Sequence, residues 1–348
     1  MTGERWSKQR PKITLITGAN GEMGHGLIRY FAQYGGPTVV AMDVQELDAG
    51  LRPLCAEVIT GDIRDRALLD VLNERYDVEA IYHLAALLST SAERNPALAH
   101  AVNVDGTFDL LALAAAHGEA AGQPVLFMFP SSIAVYGLPD LAIKHMAGAV
   151  REDQYTQPHS LYGVTKLHCE QLGRYFSTFY KRFELSAPVV DFRALRFPGL
   201  ISALTVPSGG TSDYGPEMLH YAAQGKPYTC FVREDTVMPF MVMDDGIRAL
   251  LGLAGAEREQ LTQHVYNVTS FSPRADEIAA QVRQAFPAAE ITFAPDVQRQ
   301  AIVDGWPMAV DDSAARRDWG WEPEFGFEEA LAVYLLPAVR ERYAVEVH

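Results

Sequence analysis

Tyr162 stands four residues ahead of Lys166 in the stretch SLYGVTK, residues 160–166. On a helix, residues i and i+4 share one face, so the lysine ammonium can lie beside the phenol. A free phenol titrates at about pH 10 and is a poor base near neutrality, but a neighbouring cation favours phenolate, which can accept an alcohol's proton. The same spacing also describes an exposed pair on a solvated helix face, which contributes little. Ser131 and Ser132, in FPSSIAVYG (129–137), favour the chemical reading. They close a strand-like run, and ligands of open α/β sheets bind at the carboxyl ends of strands. Ser132 could donate to a substrate oxygen and orient it. Ser131 is its close rival, and either hydroxyl could merely cap the strand-end turn.

A second set of residues points to a nucleotide. TGANGEMG (17–24) follows the first strand-like run and leads into a helical one. In that context Gly18 permits a tight turn, Gly21 lets the backbone approach a pyrophosphate, and Gly24 allows close packing of helix on strand. The spacing is a variant, G-x-x-G-x-x-G. Asn20, Glu22 and Met23 lie between the glycines and join them as candidate cofactor contacts. Asp43 ends the second strand, where a carboxylate can bond both hydroxyls of an adenosine ribose; a helix cap or turn aspartate is the alternative. No lysine or arginine follows until Arg52, so a 2′-phosphate would meet uncompensated negative charge. The expected cofactor is therefore NAD rather than NADP. In GDIRD (61–65), Asp62 could bond the adenine amine with Ile63 packed on the ring, or it could cap a helix. Leu84, Ala85 and Ala86 end the fourth strand and are small enough, at the alanines, for the backbone to pass beside a cofactor. His83 is lone among apolar residues and reads as a satisfied structural histidine, and no HExxH or other histidine-rich metal spacing occurs.

The elements that must position these groups follow from hydrophobic periodicity. Strands are expected at 12–17, 37–42, 56–60, 78–84, 124–129 and 188–197, with helices around 22–34, 65–75, 93–117 and 160–182. Alternation of this kind predicts an α/β fold, a parallel sheet covered by helices. After Pro198 the rhythm changes, with Pro207, Gly209, Gly210, Pro216, Pro227 and Pro239 dividing the chain into short elements of a second, smaller lobe. Two segments, 238–253 and the strand-like 264–269, are candidates to return to the first lobe. The expected division is a disordered tail at 1–11, a nucleotide-binding domain at 12–198 with returning segments near 238–269, and a substrate-binding lobe at 199–348, interleaved.

The 348 residues are 48% hydrophobic, enough for a sizeable core. Forty-four acidic against 29 basic residues give a net charge of −15, which argues against nucleic acid or an anionic membrane as partner. Cys55, Cys169 and Cys230 are far apart, so neither a disulfide framework nor a zinc site is expected, and a reducing cytoplasm fits best. No apolar run approaches the length of a bilayer span.

Glycine loop, strand-end aspartate, serine after the fifth strand and YxxxK occur here in the order seen in the extended short-chain dehydrogenase/reductase superfamily, which the chain resembles from Lys12 onward. The resemblance implies a Rossmann-like, doubly wound domain with a smaller C-terminal substrate-binding lobe, and a catalytic set of Ser132, Tyr162 and Lys166. RFPG (196–199) also matches, which implies that Pro198 contacts the nicotinamide end. Within the superfamily, GGTSDY (209–214), YNVT (266–269), WP (306–307) and DDSAARRDWGW (311–321) look like the short-chain-type L-threonine 3-dehydrogenases. That likeness implies NAD-dependent oxidation of a small amino acid, L-threonine, in a homodimer, with Ser89, Thr211, Asp213 and Trp306 around the substrate. Read without the resemblance, Ser89 is a helix cap, Thr211 and Asp213 are turn residues, and Trp306 is a core or interface aromatic. The stretch 138–159 departs from the family pattern. Nucleotide-sugar epimerases and dehydratases use the same Ser, Tyr and Lys but need basic residues for a diphosphate, and 198–236 offers only Lys226 and Arg233.

Overall fold

A computed structural model describes residues 10–185, 187–202, 205–207 and 210–344. Most of the tail expected at 1–11, and Gly209, lie outside them. KITLIT forms β1 (Lys12–Thr17), every residue after the first being buried. Helix α1 (Glu22–Tyr34) buries Gly24, Leu27, Ile28 and Phe31, a stripe at helical spacing, and stops at Gly35 in the left-handed conformation. Strands β2 (Val39–Asp43) and β3 (Glu57–Thr60) follow, then α2 (Arg66–Arg75) and β4 (Asp77–His83).

The single helix expected over 93–117 is broken. It comprises α3 (Ser89–Arg94), α4 (Pro96–His100), a π-helical turn at Ala101–Asp105 and α5 (Gly106–Ala121). Pro96 lacks an N–H and its ring crowds the preceding turn, so the chain restarts there, with the Asn95 side chain accepting from Leu98 N. Beyond lie β5 (Val125–Ser132), α6 (Leu141–Ala147), β6 (Ala149–Val150), α7 (Leu161–Thr178) and β7 (Val190–Phe197).

The later chain adds β8 (Gly199–Ile201), α8 (Tyr214–Ala223), β9 (Tyr228–Cys230), β10 (Phe240–Val242), α9 (Met243–Gly255), β11 (Val265–Asn267), α10 (Ala275–Ala285), β12 (Ile291–Phe293), α11 (Val297–Asp304) and β13 (Ala309–Val310). Seven strands form one parallel sheet in the order β11-β7-β5-β4-β1-β2-β3. The order reverses between β1 and β4, the doubly wound arrangement in which ligands sit beyond the strands' carboxyl ends. Of the two segments expected to return to the first lobe, only 264–269 supplies a strand to this sheet, as β11 beside β7. The 238–253 segment does not, because β10 is taken up by β8 in a two-stranded ladder. Two further pairs, β9 with β12 and β6 with β13, complete the sheets.

The chain forms two compact units. One holds the residues up to Ala85 with Asp105–Phe129 and Leu172–Phe192; the other holds Ala86–Val104, Pro130–Gln171 and everything from Arg193. The core of the second is built on Tyr136, Tyr214, Met218, Phe240, Ile278 and Trp306. No helix among the described residues is long and apolar enough to cross a membrane.

Candidate active site

In the first unit, the glycine loop has the geometry a pyrophosphate needs. Gly18 lies at φ +67°, and a Cβ there would stand 2.5 Å from the backbone nitrogen of Ala85. At Gly24 a Cβ would meet the Ala19 carbonyl oxygen at 2.4 Å. Both positions therefore exclude side chains, Gly18 also by its left-handed backbone. Gly21 closes the turn by donating to Gly18 O at 3.1 Å and occupies the N-cap of α1, where no side chain caps the helix. The amides of that first turn are oriented for an anion.

Asp43 secures this loop. Its Oδ2 accepts from Asn20 N at 2.9 Å and its Oδ1 from Gln45 N at 2.9 Å, so it is a loop-organising carboxylate at a strand end and not a helix cap. The Asn20 side-chain oxygen is engaged by Asp48 N at 3.0 Å and by His25, so its part is to shape the loop. Asp62 is not a helix cap either, since Asp65 caps α2 by accepting from Leu68 N. Instead Asp62 pairs with Arg64 at 2.6 Å, which holds its carboxyl below the usual range. Ile63 is buried, Glu22 and Met23 are half-buried, and Leu84 donates to Thr17 O before the half-buried Ala85. His83 is bonded at both ring nitrogens, to the hydroxyls of Thr17 and Thr107, each at 2.8 Å, as a structural histidine should be. A dinucleotide's phosphates and ribose fit this loop, which is closed to side chains at Gly18 and Gly24 and presents a carboxylate beside it.

The second unit gathers the proposed proton-transfer groups, with Tyr162, Lys166 and Glu170 spaced at i, i+4 and i+8 on α7. Ser132 hydrogen-bonds the phenol of Tyr162, and its Oγ also accepts from Ala134 N at 3.1 Å, so it caps the strand-end turn as well. Ser131 faces elsewhere. It is 3% exposed and donates to Glu170 Oε1 at 2.5 Å, so its hydroxyl is engaged away from the phenol.

One expectation is corrected. Loss of hydration at the hydroxyl raises the Tyr162 pKa above its ordinary value, with the Ser132 hydrogen bond acting the other way. Lys166 does not lower it in this state, because its ammonium donates to Pro130 O at 2.7 Å and lies 5.7 Å from the centre of the phenol ring. Burial brings Lys166 itself down to about 8, with Cys169 and Glu170 opposing the shift.

The motifs do not single out Glu170 and Arg196, which the fold brings together. Arg196 donates through Nε at 2.9 Å and Nη2 at 2.7 Å to the two carboxylate oxygens of Glu170, with both side chains nearly inaccessible. The available signals are an acid continuing the Tyr162–Lys166 face and charged residues, Asp191, Arg193 and Arg196, inside the strand-like run PVVDFRALRF.

The substrate residues implied by resemblance fall out unevenly. Ser89 is half-buried and is the first residue of α3, whose N-cap is Leu88, so it is not the cap. Thr211 is buried, and Asp213 Oδ2 accepts from Gly210 N at 2.7 Å, as a turn residue would. Gly210 O is held from the other side by Arg299 Nη2 at 2.7 Å. Trp306 is 7% exposed and belongs to the second unit's core, as the reading without resemblance has it. Pro198 is buried between β7 and β8. The departing stretch 138–159 folds as α6 and β6, with Leu138 N donating to Gly305 O and Lys144 Nζ to Val303 O, so it packs on the end of α11.

Residues 14–269 match the NAD dependent epimerase/dehydratase family. The mitochondrial L-threonine 3-dehydrogenase of Bos taurus is 35% identical over 95% of this chain and 83% of its own length. Among solved structures, a GalE-like L-threonine dehydrogenase from Cupriavidus necator, in its holo form, superposes with a TM-score of 0.81 at 34% identity, covering 95% of this chain and 99% of that one. A monomeric L-threonine 3-dehydrogenase from a metagenome gives 0.80 at 33%, covering 96% and 100%. A UDP-glucose 4-epimerase from Thermotoga maritima gives 0.77 at only 18%, a likeness of fold alone.

Proposed function

Because the chain belongs to the NAD dependent epimerase/dehydratase family, we propose that it is an L-threonine 3-dehydrogenase, oxidising the C3 hydroxyl of L-threonine to 2-amino-3-oxobutyrate. The observation that carries the reading is whole-length likeness to threonine dehydrogenases at 33–35% identity, against 18% for the nucleotide-sugar epimerase. The diphosphate a nucleotide sugar brings would also lack a clamp in 198–236, since Arg233 is paired with Asp304 at 2.8 Å and Lys226 donates to Gln224.

NAD, when bound, supplies the two-electron acceptor. On this reading the glycine loop and the start of α1 hold its phosphates, and Asp43 its adenosine ribose. Ser132 holds the substrate oxygen, and Tyr162 takes the hydroxyl proton. Burial keeps the phenol protonated at rest, so its base form needs added positive charge nearby, to which the Lys166 ammonium contributes. Residues 12–198, with β11 returned to them, serve the cofactor, and 199–348 choose the substrate.

Purified protein given NAD and L-threonine should generate reduced cofactor, with kcat/KM about tenfold or more lower for NADP because of Asp43. Turnover of UDP-glucose without turnover of threonine would sink the assignment.

The reading extends to threonine catabolism in the cytoplasm, consistent with three free cysteines, and to a homodimer. Support for the dimer comes from α5 and α7. Phe108 packs edge-on against Phe176, and Phe108, Tyr175 and Phe179 are 45%, 48% and 38% exposed. One structural relative is a monomer. Sedimentation at micromolar concentration should give twice the chain mass, and Tyr175→Glu should give the single mass; a monomeric parent protein would refute the dimer.

A further inference from the structure

Three consecutive residues at the end of β5 each address a different residue on one face of α7. Pro130 O accepts from Lys166 Nζ at 2.7 Å, Ser131 donates to Glu170 at 2.5 Å, and Ser132 bonds the phenol of Tyr162. The middle contact is the one whose helix residue is held in a buried ion pair. The Glu170 and Arg196 side chains are 1% and 4% exposed. Arg196 reaches on through Nη1 to the Tyr136 hydroxyl at 2.9 Å and the Glu152 carbonyl at 2.7 Å. Tyr136 donates to Asn267 Oδ1 at 2.7 Å, and Asn267 Nδ2 donates to Val150 O and Asp311 O. The anchor thus ties α7 and β5 to β7, β11 and the β6–β13 pair.

Removing two charges from water is costly, and apolar replacements are often at least as stable, so stability alone does not account for such a pair. Position does. Proton transfer demands a Ser132 oxygen, a phenol and an ammonium held to within about an ångström. We propose that Glu170 is a positioning residue for the reaction: braced by Arg196, it clamps the end of β5 to α7 and so registers Ser132 and Lys166 with the phenol of Tyr162. The proposal relies on the threonine reading only for its kinetic assay.

In Glu170→Gln, kcat for threonine should fall about 30-fold while KM and the Kd for NAD stay within about threefold. Ser131→Ala leaves the ion pair intact and tests the same clamp if the first variant does not fold. It should lose about fivefold in kcat, with the unfolding temperature lower by no more than a few degrees. Crystal structures of the variants read the clamp without turnover, and should show Ser132 and Tyr162 beyond hydrogen-bond reach. Failure of the parent protein to oxidise threonine counts against the assigned substrate, whereas the variant structures still decide the clamp. Retention of the Ser132–Tyr162 bond, or of parental kcat in Ser131→Ala, overturns it. So does a Glu170→Gln protein in which KM, NAD affinity and kcat deteriorate together, the mark of a merely structural residue.

Discussion

Tyr162→Phe should lower kcat for threonine oxidation by about a thousandfold or more and leave the Kd for NAD within about twofold. The substitution removes one oxygen and keeps the ring. That oxygen bonds Ser132, whereas the Lys166 ammonium is held by Pro130 O, so the lysine should stay where it is. Losing one hydrogen bond costs about 1 kcal/mol, too little to unfold a protein of ordinary stability. What disappears is the acceptor for the substrate's proton, and no second phenol stands on that face of α7. Steady-state kinetics with a fluorescence titration of NAD would measure both quantities on one preparation. Parallel loss of turnover and cofactor binding would instead mark the tyrosine as a structural support. Lys166 titrates at about 8, so its ammonium persists at neutral pH and is lost as the solution becomes more alkaline than that.

Gly18→Ala should be almost as damaging, by a different route. The left-handed backbone at φ +67° costs an L side chain about 1–2 kcal/mol. The added methyl would then meet Ala85 N at 2.5 Å and the Ala85 Cα and Leu84 carbonyl carbon at 2.8 Å, all backbone atoms of a strand end, which cannot swing away as a flexible side chain would. A combined loss on the order of 3 kcal/mol is expected, with a fall of several degrees in Tm. NAD affinity should fall about 30-fold or more, because the loop must shift. Gly21→Ala is the control. Its Cβ would touch only Gly18 O, at 3.2 Å, so thermal unfolding should hardly change while NAD binding weakens. Parental NAD affinity in both variants would show that this loop is not where the phosphates bind.

Much of this is legible in the sequence. The bounds of α1 agree with the expected 22–34, and Thr17 to Gly24 form the expected strand–turn–helix. Period-2 and period-3.6 patterns are local, so they survive translation into structure. What was not legible depends on contacts distant in sequence. The pairs β6–β13 and β8–β10 are two and three residues long, too short to show a period. Ser131 and Ser132 are neighbours in sequence, and only the packing of α7 shows that Ser132 meets the phenol of Tyr162 while Ser131 meets Glu170. The direction of the Tyr162 shift is not legible in the sequence, because spacing shows the proximity of a cation and not the loss of hydration. The resemblance implies Trp306 at the substrate, and the indole packs into the second unit's core, a burial that motif spacing does not show. Pro96 could have been read correctly: it is a plain stop signal inside the long helical run.

The sheet is completed by a strand made late. Val265 of β11 pairs with Ala194 of β7, so a ribosome must extend the nascent chain by about seventy residues after β7 before that edge has its neighbour. During that interval a strand that ends up almost wholly buried offers unpaired amides and carbonyls to any other strand it meets, including one from a second unfinished copy. Chains cut short before Val265 would keep that adhesive border permanently, which makes the far half of the polypeptide a guardian of the near half's solubility during synthesis.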